Sequence, residues 1–200
     1  RVRRHARQQE HLANHDALTG LANRHNLMRT LDRQSEEHPA VQVHLVLINL
    51  ARVREVNESF GPRAGDTVLE VCAQRLAKAL APLDWKLFRS SGTEIVAMGT
   101  GERLGTLEAL VPRVLAVLRE PVPVDGTPLE MHARLGSTFF PEDALDASQL
   151  LRCAEIAALH ARQEVDHWTR YSRALDRAPG RDLKLRAELG TGIREGQLRL

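Results

Sequence analysis

Residues 88–98, FRSSGTEIVAM, constrain the fold more than any other stretch. An apolar approach, Leu87-Phe88, runs into the polar centre RSSGTE and leaves through IVAM. Apolar runs around a short Gly-containing polar centre form a β-hairpin, with Glu94 at its tip. VQVHLVLINL, residues 41–50, is β-rich and centrally apolar, which predicts a core strand. The question raised by the hairpin is whether Glu94 holds a metal ion or marks a site that has lost its chemistry.

Helical spacing supplies the rest. After a Thr19-Gly20 break, Leu27, Met28 and Leu31 recur at helix intervals until HPA ends the run. VREVNESFGPRAGD reads as a polar link with Gly61, Pro62 and Gly65. Val68, Leu69, Cys72, Leu76 and Leu80 then share one side of a helix. Residues 102–118 form another amphipathic helix, in which Pro112 demands a kink or a break. Residues 122–140 are expected to be a hairpin turning at Asp125-Gly126. A last helix begins near residue 146, capped by Asp146 or Ser148. The order helix, β, α, hairpin, α, hairpin, α predicts an α+β fold, close to a ferredoxin-like core.

Composition removes several function classes. A chain of 200 residues with 42% apolar content suits one domain of about 150 residues plus appendages. With 28 basic against 26 acidic residues there is no general pull toward nucleic acid, and 4% aromatic content supplies no stacking platform. No run approaches the ~20 apolar residues of a membrane span. Cys72 and Cys153 lack metal-ligand spacing and are expected to be buried free thiols of a cytoplasmic protein. The histidines show no HExxH, and the glycines form neither a Walker loop nor a nucleophile elbow. Trp85 and Trp168 are expected to pack, with an interface anchor as the sharper alternative.

Two segments carry a resemblance. HDALTGLANR, 15–24, is similar to the opening signature of diguanylate cyclase (GGDEF) domains, and NLARVREVNESFGPRAGD, 49–66, resembles the family's Asp-x-Asp-x-Phe-Lys…Asn-Asp…Gly-His…Gly-Asp segment. FFPED at 139–143 and CAEIAALHAR at 153–162 match two later landmarks, in the right order. The resemblance implies a nucleotidyl-cyclase-like fold, a central mostly antiparallel sheet with flanking helices. It divides the chain into a connecting helix from an upstream module at 1–14, a GGDEF domain at 15–174, and a linker with the start of an EAL phosphodiesterase domain at 175–200. The implied parent is a cyclic di-GMP signalling protein with an upstream sensor, the partners of this segment being those domains and a second copy in a homodimer.

This sequence departs from the family's chemistry. Condensing two GTP molecules uses divalent metal, and hard cations want carboxylates. The family's first strand Asp is Asn49 here, the second is Ala51, and the signature itself reads Ser91, Gly92, Thr93, Glu94, Ile95. Asn49 and Glu94 remain as metal candidates. The strand-motif Lys is Arg54 and the late Lys is Arg162, both able to meet phosphate, whereas Asp166 reverses a charge and Pro62 replaces a His. Asn57 and Asp66 match the residues that read guanine, although capping a turn and a helix start is an equal alternative. The family's inhibitory Arg-x-x-Asp falls on Pro82 and Trp85, so no cyclic di-GMP site is expected there. The expectation is a catalytically inactive regulatory domain that binds GTP with Mg2+ and modulates an adjacent EAL domain. The alternatives are a nucleotide-independent dimerisation scaffold and a weak cyclase.

Overall fold

The computed structural model describes residues 13–39, 41–101, 105–161 and 168–177. The expected connecting helix, apart from its last residues, and nearly all of the expected EAL start lie outside these residues. In chain order the elements are β1 (Ala22–Asn23), α1 (Arg24–Glu37), β2 (Val43–Ala51), α2 (Val53–Phe60), α3 (Pro62–Leu80), β3 (Lys86–Ser91), β4 (Glu94–Thr100), α4 (Gly105–Arg119), β5 (Val122–Val124), β6 (Thr127–Leu129), β7 (His132–Phe140), α5 (Ala147–His160) and β8 (Trp168–Arg170). Six strands form one sheet in the order β1-β3-β4-β2-β7-β8, and β5-β6 is a separate hairpin. The inner pairs are antiparallel, and the outer pairs β1-β3 and β7-β8 are parallel.

The period of two along β2 divides the core. Val46, Ile48 and Leu50 pack with Val68, Cys72 and Leu76 of α3 and Leu110 and Val114 of α4. Leu45 and Leu47 face the other way, against Leu27 and Leu31 of α1 and Leu150, Leu151 and Ala154 of α5. Burying each such Leu stabilises the fold by roughly 1.5–3 kcal/mol before conformational entropy is counted. Position 49 therefore belongs to the α1/α5 side, where the apolar row stops and the strand becomes half-buried. α5 lies very close to β7: a Cβ on Gly136 would sit 2.2 Å from the Ala154 carbonyl oxygen and 2.2 Å from the Ala158 amide nitrogen.

The structure corrects the reading of 53–66 as a link. Val53–Phe60 and Pro62–Leu80 are both helical, separated by Gly61 at φ +87°. Pro62 opens α3 at a position where a missing N–H costs nothing, and Gly65 is buried inside that helix. The hairpin expected across 122–140 is also smaller: Asp125 and Gly126 turn three-residue strands, and the long apolar run beyond is β7, paired with β2. α4 continues through Pro112. Asp146 caps α5, its carboxylate accepting from the Gln149 N–H at 2.8 Å. Both tryptophans pack: Trp85 lies against Gly99, and the Trp168 indole donates to the Ser137 hydroxyl at 3.2 Å.

Candidate functional site

Sheet register builds the floor of the candidate site. Glu94 on β4 is directly opposite Asn49 on β2, and Asn49 is directly opposite Arg134 on β7. Directly opposed residues share a face, so Glu94, Asn49 and Arg134 form a row across the three central strands on the α1/α5 side. Ile95 points to the other face and is core, with 1% of its surface exposed.

The Glu94 carboxylate is held by side chains. The Ser91 hydroxyl donates to one oxygen at 2.6 Å, and the Asn49 amide donates to the other at 3.4 Å. The Thr93 hydroxyl donates to the Asn49 carbonyl oxygen at 3.5 Å, and the Thr93 backbone oxygen accepts from the Leu50 N–H at 2.9 Å. Asn49 and Thr93 stand where an acidic pair would repel, and here they close the turn on Glu94 instead. A divalent cation asks for about six oxygen ligands with several anionic ones. Glu94 is the single carboxylate of the Asn49, Thr93, Glu94 set, and both its oxygens already accept hydrogen bonds. Among the described residues no group of three or more His, Cys, Asp or Glu side chains is gathered for a metal. This donor set does not fit a divalent cation.

Charged groups that sequence reading had not singled out surround this floor. Arg24, the first residue of α1, donates to the Ser90 hydroxyl at 2.9 Å and lies 4.0 Å from a Glu155 carboxylate oxygen. Burial raises the Glu155 carboxyl above its ordinary range and the Glu94 charge raises it further, with Arg24 and Arg152 opposing. The signal was present in sequence: Glu155 is the only acid on α5. Arg134 is half-buried and, among the described residues, has neither a hydrogen bond nor an ion pair.

The N-terminal turn braces the hairpin. Asp16 accepts at one oxygen from the Thr19 N–H at 2.8 Å, the Thr19 hydroxyl at 2.7 Å and the Arg89 guanidinium at 2.7 Å. Arg89 also donates to the Gly92 carbonyl oxygen at 2.8 Å. Burial pushes the Asp16 carboxyl upward, but the bonds from Arg89 and Thr19 and the Arg89 charge outweigh it and hold the group below its ordinary value.

A second part of the site lies on α2 and α3. The Asn57 side chain, in the last turn of α2, lies against Gly65, where an added Cβ would meet the Asn57 amide oxygen at 2.0 Å. Asp66 is the next residue of α3. Neither side chain caps: α3 begins without a side-chain cap bond, and only the Asn57 backbone oxygen accepts, from the Gly61 N–H at 3.0 Å. Among the described residues the Asn57 and Asp66 side chains have no hydrogen-bond partner and both are exposed. Arg54 reaches into solvent, its side chain 91% exposed and 3.3 Å from Glu58, and Arg52 pairs with Glu55 at 2.9 Å. Arg162 and Asp166 lie outside the described residues. Trp85, at a position matching the family's inhibitory motif, is buried, 7% exposed.

The family model described as diguanylate cyclase, GGDEF domain, matches residues 13–167. The chain belongs to the GGDEF family. An uncharacterised signalling protein of Caulobacter vibrioides is 30% identical over 193 residues, covering 94% of this chain and 24% of that protein. The cyclic di-GMP phosphodiesterase NbdA of Pseudomonas aeruginosa is 26% identical over 194 residues, with 94% and 24% covered. Among solved structures, a sensory box/GGDEF family protein from Caulobacter crescentus CB15 is 30% identical with a TM-score of 0.68, covering 75% of this chain and 98% of that one. The chain thus spans about a quarter of the length of these curated relatives. The GGDEF fold expected from sequence is the fold found, and the chain is a domain of the kind that occurs in cyclic di-GMP signalling proteins. Among the described residues no helix is long and apolar enough to cross a membrane.

Proposed function

We propose that this GGDEF domain is a non-catalytic, guanine-nucleotide-binding regulatory domain of a cytoplasmic cyclic di-GMP signalling protein. In this reading it binds GTP through Asn57 and Asp66, with Arg54 and Arg162 at the phosphate end, and passes occupancy to an EAL-type domain that follows it. The observation that carries the reading is the state of Glu94. Its carboxylate is satisfied by Ser91 and Asn49, and no second acid stands at 49 or 93. Activating a 3′-hydroxyl and neutralising a triphosphate need metal-held charge, which this set does not supply. At the base end the Asn57 amide and the Asp66 carboxylate have no partner among the described residues, and such groups complement guanine O6 and its N1–H and N2–H donors. Relatives named cyclic di-GMP phosphodiesterase support the signalling context.

The test pairs turnover with binding. Incubation with GTP and magnesium or manganese should yield no cyclic di-GMP by chromatography. Calorimetric titration should show GTP binding that an Asn57→Ala/Asp66→Ala double variant abolishes. Product formation rejects the non-catalytic reading. No heat from the wild-type chain rejects the nucleotide-binding reading and leaves a dimerisation or interaction scaffold.

A further inference from the structure

We propose that Arg134 provides, as a fixed guanidinium, the positive charge for a phosphate of the guanine nucleotide in this cleft, so that binding proceeds without a divalent cation. The inference rests on the guanine-binding reading of Asn57 and Asp66 and goes beyond it by assigning the phosphate contact and its metal independence.

Position is the first argument. Arg134 is directly opposite Asn49 in the β2/β7 register, on the α1/α5 face and one strand away from the residue that replaces a metal-holding acid. Directly opposed Cβ atoms lie about 4.5–5.5 Å apart, well within the span of an arginine side chain. The second argument is the lack of a partner. A half-buried guanidinium is ordinarily paired or hydrogen-bonded, because partial removal from water weakens its hydration. Arg134 has no such partner among the described residues, whereas Arg24, Arg52, Arg54 and Arg89 each have one. A half-buried cation without a partner among the described residues is a receptor for an anion, and a planar guanidinium fits phosphate through a two-point contact.

Charge accounting at the floor points the same way. Glu94 is engaged by Ser91 and Asn49, and Glu155 feels its charge across the cleft. A phosphate approaching these carboxylates needs a compensating cation. The donor set offers no seat for a metal ion, and Arg54, its side chain 91% exposed beside Glu58, lies off the floor row. Arg134 is the remaining cation of the floor row. It also differs from a resident ion in being covalently held, so chelators cannot remove its charge.

The experiment is calorimetric titration of the 200-residue chain with guanosine, GMP and GTP, each in excess magnesium and in excess EDTA. The same series is run on Arg134→Ser and Arg134→Lys, with thermal melting to establish that each variant is folded. GTP and GMP should bind equally well in magnesium and EDTA. Arg134→Ser should weaken both by about tenfold or more, the scale of one charge-assisted contact, while guanosine binding stays the same. Arg134→Lys should recover part of the loss. Binding that requires magnesium, or nucleotide affinity unchanged in Arg134→Ser, overturns the proposal while leaving guanine recognition standing. No binding by any guanine compound overturns the proposal together with the reading beneath it.

Discussion

Restoring the missing acid at position 49 should make the fold depend on magnesium. In Asn49→Asp, the amide that donates to Glu94 at 3.4 Å becomes a second carboxylate facing the first. Two unit charges at 3.4 Å repel by about 5 kcal/mol at an effective dielectric of about 20 and by about 1 kcal/mol in bulk water. The site is half-buried, so the cost falls between those limits, and part of it will appear as a raised apparent carboxyl pKa shared by the pair. For a domain of this size each kcal/mol lost lowers the melting temperature by about 2–4 °C. A cation bound between the carboxylates restores stability in proportion to its occupancy. Thermal unfolding of wild type and Asn49→Asp, each with magnesium and with EDTA, measures both effects. The variant should melt several degrees lower in EDTA and recover in magnesium, with the wild type indifferent to the ion. Equal melting of both proteins in EDTA would refute the electrostatic argument. A wild type stabilised by magnesium would show that its own cleft already seats the cation.

Other perturbations separate fold from site. Gly65→Ala should leave melting within about 1 kcal/mol of wild type, since Ala favours a helix interior, yet abolish GTP binding by displacing the Asn57 amide; titration and melting of one sample test this. Arg89→Ala should cost about 2–3 kcal/mol in urea unfolding through loss of charged bonds to Asp16 and Gly92. The Asp16 part of that stability is complete above its ordinary pKa of 3.8 and lost as pH falls through its lowered folded value, so wild type and variant should converge in acid. His44 is held below its ordinary pKa of 6.5 by burial and then by the Arg170 charge. The unfolded chain therefore takes up that proton first, and stability present above pH 6.5 declines as pH falls below it. His44→Phe should flatten this slope in urea midpoints measured against pH, and parallel profiles would count against the assignment.

The parts of the fold legible in sequence are those with a long period or a strong cap. β2 and the 86–100 hairpin follow from apolar runs around polar turns, and Asp146 from its place before a helical stripe. β1 and β8 are two and three residues long, too short to show alternation, and exist because the sheet offers them an edge. α2 was hidden because Gly61, Pro62 and Gly65 resemble loop punctuation, whereas Pro62 starts a helix and Gly65 makes room for Asn57 within it. At the site, sequence alone reached Asn49, Glu94, Asn57 and Asp66. It did not reach Arg134, because only the pairing of strands more than eighty residues apart sets that side chain beside Asn49. Ser91 stands at the first position of the signature, and only the structure shows that its hydroxyl satisfies Glu94.

The close approach of α5 to Gly136 has a consequence for how such a domain changes over time. The spacing of α5 from the sheet is set by backbone contact at a glycine on β7, two residues from Arg134 on the same face. The half-exposed floor residues contribute little to the core, so they can be exchanged one at a time while sheet and helix keep their spacing. Shape and reactivity are therefore inherited separately here. A mould of this kind keeps its form while the side chains that line it change, and they choose what it holds.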